Sequence, residues 1–371
     1  MAIANKLGVN HMKRFITICF VFILILASSA NVFAKANFKN TEAMHSKYNA
    51  EWWYFNFNTD GYSGYVAILK GKFEGRTKED YIAFVQLANK NKIVLKTSLL
   101  GKNCTAVTNK LDVKFIGFNE KNEEYTITMK SNHTDTTKAK YNVMVKKGKN
   151  NVMQLSMEQN NIETTGLRLG NDGKIEIFPG VKDSYYYTLT NLSTTMKYYV
   201  KGNAITKKGI AWFDHQYFKV NDLKEAMNNI RYNWFSMQID NGTKKKTDDY
   251  QIIVMDSTAY SKNVKYIATI DNNGNKKEAN DVKISKVGNS LYKSKNTNKN
   301  YATKWKITSK KLGIDIIVTS KLDNPVSYIR IPERYYKVTR AKGLEFYESN
   351  TSVTKSNKEI GVGFVESTIS Y

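Results

Sequence analysis

Asp214 is the acid whose neighbours in this sequence most favour chemistry. It lies in Gly209-Ile210-Ala211-Trp212-Phe213-Asp214-His215. A carboxyl set between Trp212, Phe213 and Tyr217 is desolvated, which raises its pKa and keeps a useful fraction protonated near neutral pH. Such a group against aromatic walls is a strong proton donor. On an extended strand Trp212 and Asp214 project to one face, so acid and ring share a cavity. His215 then faces the other way unless the chain bends. It is either an orienting group or proton relay for the acid, or a satisfied histidine at an interface. Two other segments have the same make-up, Glu51-Trp52-Trp53-Tyr54-Phe55 and Tyr232-Asn233-Trp234-Phe235-Ser236-Met237-Gln238, and four of the five tryptophans fall in the three together. Rings beside ionisable groups describe a mostly apolar pocket with a few aimed polar atoms.

The remaining candidates follow from alternation along these strands. Trp52, Trp53 and Trp234 could line the pocket and stabilise positive charge through their ring faces, at roughly 0.5–2 kcal/mol each; core packing is the alternative for each. Tyr54, Trp212 and Tyr217 are further wall candidates. Gln238 is in phase with Trp234 and could position a water or a substrate oxygen. Glu51 shares a face with Trp53 and Phe55, where it either meets a ligand or forms a buried ion pair. Glu366, in the closing Gly361-Val362-Gly363-Phe364-Val365-Glu366, needs a partner such as an arginine if it is buried.

The elements that must position these residues are strands. Short runs rich in Tyr, Val, Ile, Phe and Thr recur at Tyr65–Leu69, Tyr81–Leu87, Lys92–Leu99, Tyr125–Met129, Tyr141–Val145, Val152–Met157 and Tyr185–Leu189. Asn171-Asp172-Gly173, Asp240-Asn241-Gly242 and Asn272-Asn273-Gly274 supply hairpin chemistry between strands. Only three prolines interrupt the pattern. The one helix-compatible stretch is Leu223 to Ile230, so residues 222–229 are read as a connector between two all-β domains, 40–221 and 230–371. Each is long enough for a closed antiparallel barrel, which removes sheet edges and encloses a ligand-sized interior. A chain of 371 residues exceeds what one core usually organises.

The N-terminus reads as a targeting segment. Lys13 and Arg14 precede the apolar run Phe15 to Leu26, and Val32 and Ala34 occupy the positions a signal peptidase reads, so export and cleavage after Ala34 are expected, with Met12 an alternative start. Cleavage removes Cys19 and leaves Cys104 without an internal disulfide partner. It also removes Lys6, Lys13 and Arg14, taking the formal charge from +24 to +21. That charge suits peripheral contact with an anionic cell-envelope surface, although the lysines are scattered among turns as on a solvated surface. They form no stripe, which speaks against nucleic acid. His45, His133 and His215 are scattered with no zinc spacing, so no metal is expected. A serine-hydrolase elbow, a phosphate loop and a dinucleotide fingerprint are all missing, and no cofactor is expected.

Four segments in order, namely Glu51 to Phe55, Gly209 to Tyr217, Trp234 to Gly242 and Gly361 to Glu366, resemble the lipocalin-like hydratase family. That family includes carotenoid 1,2-hydratase, kievitone hydratase and related cyclases. The resemblance implies two tandem lipocalin-like barrels with a cavity for a hydrophobic, isoprenoid- or polyketide-like molecule. It implies a cofactor-independent hydratase or cyclase, with a non-catalytic carrier or a structural envelope protein as alternatives. Hydrating an unactivated alkene needs an acid that protonates carbon, walls that tolerate a carbocation, and a held water; Asp214 is the candidate acid.

Overall fold

The computed structural model describes residues 42–71, 80–132, 139–159, 167–170, 173–176, 178, 179, 181, 183–219, 230–240, 242, 249–259, 262–272, 274–330 and 343–371. The targeting segment, the 222–229 connector, His133 and the turn residues Asn171, Asp172, Asn241 and Asn273 lie outside them.

Two sheets carry the fold. The first contains β1 (Ala50–Thr59), β2 (Tyr62–Gly71), β3 (Asp80–Asn89), β4 (Lys92–Ala106), β5 (Asp112–Phe118), β6 (Glu124–Ser131), β7 (Lys140–Lys147), β8 (Asn150–Gln159), β9 (Leu167–Arg168), β10 (Ser184–Val200) and β11 (Asn203–Phe218). Each runs antiparallel to its neighbours. β11 pairs with both β1 and β10, so the order β11-β1-β2-β3-β4-β5-β6-β7-β8-β10 closes on itself as a barrel, and β9 lies beside β10. The second contains β12 (Arg231–Ile239), β13 (Tyr250–Ala259), β14 (Lys262–Asp271), β15 (Lys276–Ala279), β16 (Lys283–Lys286), β19 (Lys304–Ser309), β20 (Ile314–Ser320), β21 (Val326–Arg330), β22 (Gly343–Lys355) and β23 (Lys358–Ser367), while β17 (Leu291–Lys293) and β18 (Asn300–Ala302) form a separate hairpin. Its order is β15-β14-β13-β12-β23-β22-β20-β19-β16, with β21 on β22. Among the described residues its ends, β15 and β16, are not paired with each other. All seven segments read as strands from the sequence fall within β2, β3, β4, β6, β7, β8 and β10.

Strand burial shows which part of the barrel meets the second sheet. β6 and β7 alternate buried and exposed residues, because one face packs the barrel and the other meets water. β1 is buried on both faces. Its odd residues Trp53, Phe55 and Phe57 join the barrel core with Phe115, Ile127 and Phe213, while its even residue Tyr54 joins Tyr65, Phe84, Trp212 and Trp234 in a second core between the sheets. A third core around Phe235, Trp305 and Tyr347 fills the curve of the second sheet. The barrel interior is therefore packed, and the enclosed ligand space expected there is displaced by aromatic side chains.

Polar bonds pin the two sheets together. Asn56 Nδ2 donates to Ser236 Oγ at 3.2 Å, the Tyr65 hydroxyl meets Ser327 Oγ at 2.5 Å, and Thr190 Oγ1 donates to Gln251 Oε1 at 3.0 Å. Gly363 explains part of the closing motif: a Cβ there would lie 2.3 Å from the Ser236 carbonyl oxygen of β12. Close approach of β23 to β12 sets Glu366 directly opposite Trp234.

Candidate functional site

A cavity of about 120 Å3 opens between the barrel's outer face and the second sheet. A smaller hollow of about 40 Å3 adjoins it and shares Trp52, Tyr54, Phe178, Tyr232 and Glu366 as walls. One water needs roughly 10–15 Å3 on this measure, so the space takes a ligand fragment or several waters. Strand parity decides which residues reach it. Trp52 and Tyr54 of β1, Asp214 of β11, Tyr232 and Trp234 of β12, Glu348 of β22 and Glu366 of β23 all do.

Asp214 is 3% exposed. Burial pushes its carboxyl up to about 7 against the opposing pull of hydrogen bonds from Tyr186, Trp212 and Thr188, and Glu366 adds to the rise. The Trp212 indole N–H donates to Oδ1 at 2.8 Å. Tyr186 carries the arrangement to the second sheet, since the Trp234 indole N–H donates to its hydroxyl at 3.0 Å. The Trp212 and Trp234 rings meet edge to face at 6.4 Å, and Tyr54 meets Trp234 likewise at 5.6 Å. The carboxyl is thus held in place by donors yet kept away from bulk water.

Glu348 and Glu366 are directly opposed on β22 and β23. Burial raises both, Glu366 to about 7, and mutual repulsion raises Glu348 well above the carboxylate range. Two carboxyls so placed cannot both ionise without penalty. Among the described residues the partner of Glu366 is not an arginine but the Tyr232 hydroxyl, which donates a short hydrogen bond to it. Two wall atoms, Tyr54 Oη and Glu348 Oε2, are buried without a hydrogen-bond partner among the described residues.

The opposite face of β1 and β11 carries a different cluster. Glu51 Oε1 is 2.9 Å from His45 Nδ1 and 3.0 Å from His215 Nε2, and Lys70 Nζ lies 3.4 Å from Oε2. Burial raises the Glu51 pKa, but the bonds from His215 and His45 and the Lys70 charge outweigh it and hold the carboxyl at about 2. His45 is itself lowered by burial. Two imidazoles and a carboxylate whose donor atoms lie within 4.8 Å of one another have the composition of a metal-binding trio. The scatter of histidines along the sequence did not keep them apart. Each donor atom is nonetheless within hydrogen-bond distance of another, and Lys70 already supplies a cation, so the arrangement is an ion-pair network.

The structure therefore divides the sequence-derived candidates. Trp52, Tyr54, Asp214, Trp234 and Glu366 line the space between the sheets, with Trp212 bonded to Asp214 behind them. Glu51, Trp53, His215 and Tyr217 face away. Trp53 is fully buried in the barrel core, and His215 is sandwiched against it and bonded to Glu51. Tyr217 stacks on His45 at 3.6 Å. β11 keeps an unbroken register with β1, so the bend that would bring His215 to the cavity is missing. Phe213 and Tyr217 accordingly do not desolvate Asp214; Trp212, Tyr186 and Trp234 do. Gln238 shares the face of Trp234 but sits far along β12, donating to the Thr190 and Ala211 carbonyls at 3.1 and 3.4 Å beside a separate polar crevice.

Sequence reasoning missed Glu348, Tyr186 and Tyr232. A signal for Glu348 existed: Trp212-x-Asp214, Phe346-x-Glu348 and Phe364-x-Glu366 share the spacing of aromatic and acid on one strand face. Tyr186 carries no such mark, because it is the middle of Tyr185-Tyr186-Tyr187 and only the barrel's handed curvature decides which of them turns outward.

Known proteins share this architecture. The crystal structure of an AttH from Nitrosomonas europaea is similar with a TM-score of 0.65 and 16% identity, over 89% of this chain and 96% of that one. Kievitone hydratase from Nectria haematococca is similar with a TM-score of 0.59 and 14% identity, over 91% of this chain and 94% of that one. No curated protein sequence matches. At these identities the likeness is one of fold. Residues 31–369 match the AttH-like family as a whole, and with the match running over nearly the full sequence, the chain belongs to the AttH-like family.

Proposed function

We propose that this chain is an exported, cofactor-independent hydratase or cyclase. It takes a hydrophobic, isoprenoid- or polyketide-like molecule into the space between its sheets, and Asp214 protonates a carbon–carbon double bond there. The observation that carries this reading is a carboxyl 3% exposed, pushed by burial to about 7, on the wall of an aromatic cavity. A group so poised is protonated often enough near neutral pH to act as an acid, and its conjugate base is stabilised by the Trp212, Tyr186 and Thr188 donors.

In the hydration step the Asp214 proton goes to one alkene carbon and leaves a cation on the other. The faces of Trp52, Tyr54 and Trp234 are placed to stabilise that charge, at roughly 0.5–2 kcal/mol each. Water then bonds to the cationic carbon, and its proton passes to a carboxylate of the Glu348–Glu366 pair. In cyclisation a second alkene takes the place of water. The fold shared with kievitone hydratase supports the assignment by analogy. Export rests on the N-terminal Lys13-Arg14, the apolar run and Ala34. Peripheral contact with an anionic envelope surface is the corresponding proposal for the positive charge.

The test is native mass spectrometry of the mature protein and of Asp214→Asn after exposure to a lipid extract of the source organism. A bound species 18 Da heavier, or isomerised, on the wild type alone is expected. The same unmodified ligand on both proteins would make this a carrier.

A further inference from the structure

The cavity is lined by acids in a protein that is basic overall. The chain has 57 basic against 33 acidic residues. Yet the walls present Glu348 and Glu366, and Asp214 in the adjoining hollow, against a single cationic side chain among the described residues, Lys70. The Lys70 ammonium is committed elsewhere, to the carbonyls of His45 and Tyr48 at 3.2 and 2.9 Å and to Glu51 at 3.4 Å. Lys96 approaches Glu348 closely enough to act on it, but donates to the Asn324 carbonyl at 2.9 Å.

A second observation points the same way. Tyr54, 5% exposed, and Glu348, 4% exposed, each have one wall atom, Oη and Oε2, with no hydrogen-bond partner among the described residues, although the Tyr65 hydroxyl acts on the Glu348 carboxyl. Tyr54 lies within the field of Glu348, Glu366 and Asp214 together. Both orphan atoms accept hydrogen bonds, and an ammonium is a donor of several with no acceptor to satisfy. The facing carboxyls repel when both are ionised, and a cation between them removes that cost. Aromatic faces nearby add cation–π attraction.

We propose that the ligand of this cavity carries a basic nitrogen: it is a hydrophobic primary or secondary amine whose ammonium sits among Glu348, Glu366 and Tyr54, with its apolar body against Trp52, Phe84 and Phe346. This rests on the reading of the cavity as the ligand site and narrows the ligand's class. A neutral alcohol of the same shape would satisfy one acceptor and leave the carboxyl repulsion in place. A carboxylate would add to it.

Calorimetric titration of the mature protein at pH 8.5 with octylamine, octanol and octanoate, three probes of one length and different charge, tests the proposal. Octylamine is expected to bind at least tenfold more tightly than octanol, with octanoate weakest, despite a protein surface that repels cations. Glu366→Gln is expected to erase the amine's advantage over octanol, and Tyr54→Phe to reduce it several-fold; near-ultraviolet circular dichroism checks that each variant is folded. Octanol binding as tightly as octylamine, or no binding of octylamine, would overturn the inference. Conversion by Asp214 is read separately: losing the amine preference overturns the amine and leaves the acid, whereas unchanged conversion by Asp214→Asn overturns the acid and leaves the amine.

Discussion

Two carboxylates on neighbouring strands of one barrel, Asp214 and Glu51, are driven in opposite directions, and the cause is their partners. Glu51 has cations and imidazoles within reach and is held at about 2, whereas Asp214 has neutral donors and a buried acid for company and is pushed up to about 7. The consequences for stability have opposite signs. Glu51 contributes stability above its unfolded value of roughly 4.5, lost as pH falls through about 2. Asp214 and Glu366, raised in the fold, contribute stability below pH about 4, lost as pH rises through about 7. Wild-type stability should therefore be greatest between these limits. Glu366→Gln, which makes the protonated form permanent, is expected to raise the melting temperature at pH 8 by the equivalent of about 1–3 kcal/mol and to change little at pH 4, as scanning calorimetry would show. An equal effect at both pH values would refute the assignment of a raised pKa. Glu51→Gln should do the reverse at neutral pH, costing about 3–5 kcal/mol because Lys70 is left buried beside a neutral group; adding Lys70→Met should recover part of it.

At the scale of elements, β1 and β11 are the strands that organise the protein. Over β1 and residues 211–218 of β11 one face meets the barrel core and the other the second sheet, so these stretches run nearly continuous in large side chains. β23 does the complementary work, bringing Glu366 between Trp234 on one side and Glu348 on the other. Its approach to β12 depends on Gly363. Gly363→Ala places a methyl 2.3 Å from the Ser236 carbonyl, so the strands must separate. We expect a loss of about 1–3 kcal/mol in chemical denaturation, accompanied by weakened ligand binding because Glu366 moves with the strand. Weakened stability with intact binding would show that the site tolerates the shift. Cys104 stands apart: burial pushes its thiol up to about 12, which disfavours the reactive thiolate.

For the molecule as a whole, the two sheets are joined by a layer that is both core and site. Tyr54, Tyr65, Phe84 and Trp212 would be exposed on a barrel expressed by itself, an apolar patch of the kind that soluble monomers avoid. A chain ending at residue 221 is therefore expected to self-associate or bind a hydrophobic dye strongly, and to lose ligand binding even if its barrel closes. Sedimentation and dye fluorescence would show this, and a monomeric, dye-silent barrel would contradict it. The acid-lined cavity inside a protein of +24 formal charge is a property of the same scale. No single residue has it; it arises where faces of both sheets meet.

The class of fold and the placing of Asp214 beside Trp212 on one strand face were legible along the chain. Alternation and turn chemistry are local, so strands such as Tyr141–Val145 and the pairing of Trp212 with Asp214 on one face are legible from spacing of two residues along an extended chain. Glu366 and Trp234 were legible in the same way. Which face meets which partner is fixed by strand pairing and packing in three dimensions. Glu51, Trp53 and His215 carry the same residue types as the site, yet parity sends them into the barrel. Gln238 has the right parity and lies too far along its strand. Glu348, 18 residues from Glu366 in sequence and opposite it in register, becomes part of the site through strand pairing. The cavity lies between the sheets because side-chain volume decides it: Trp53, Phe55, Phe57 and Phe115 fill the barrel and leave the gap outside.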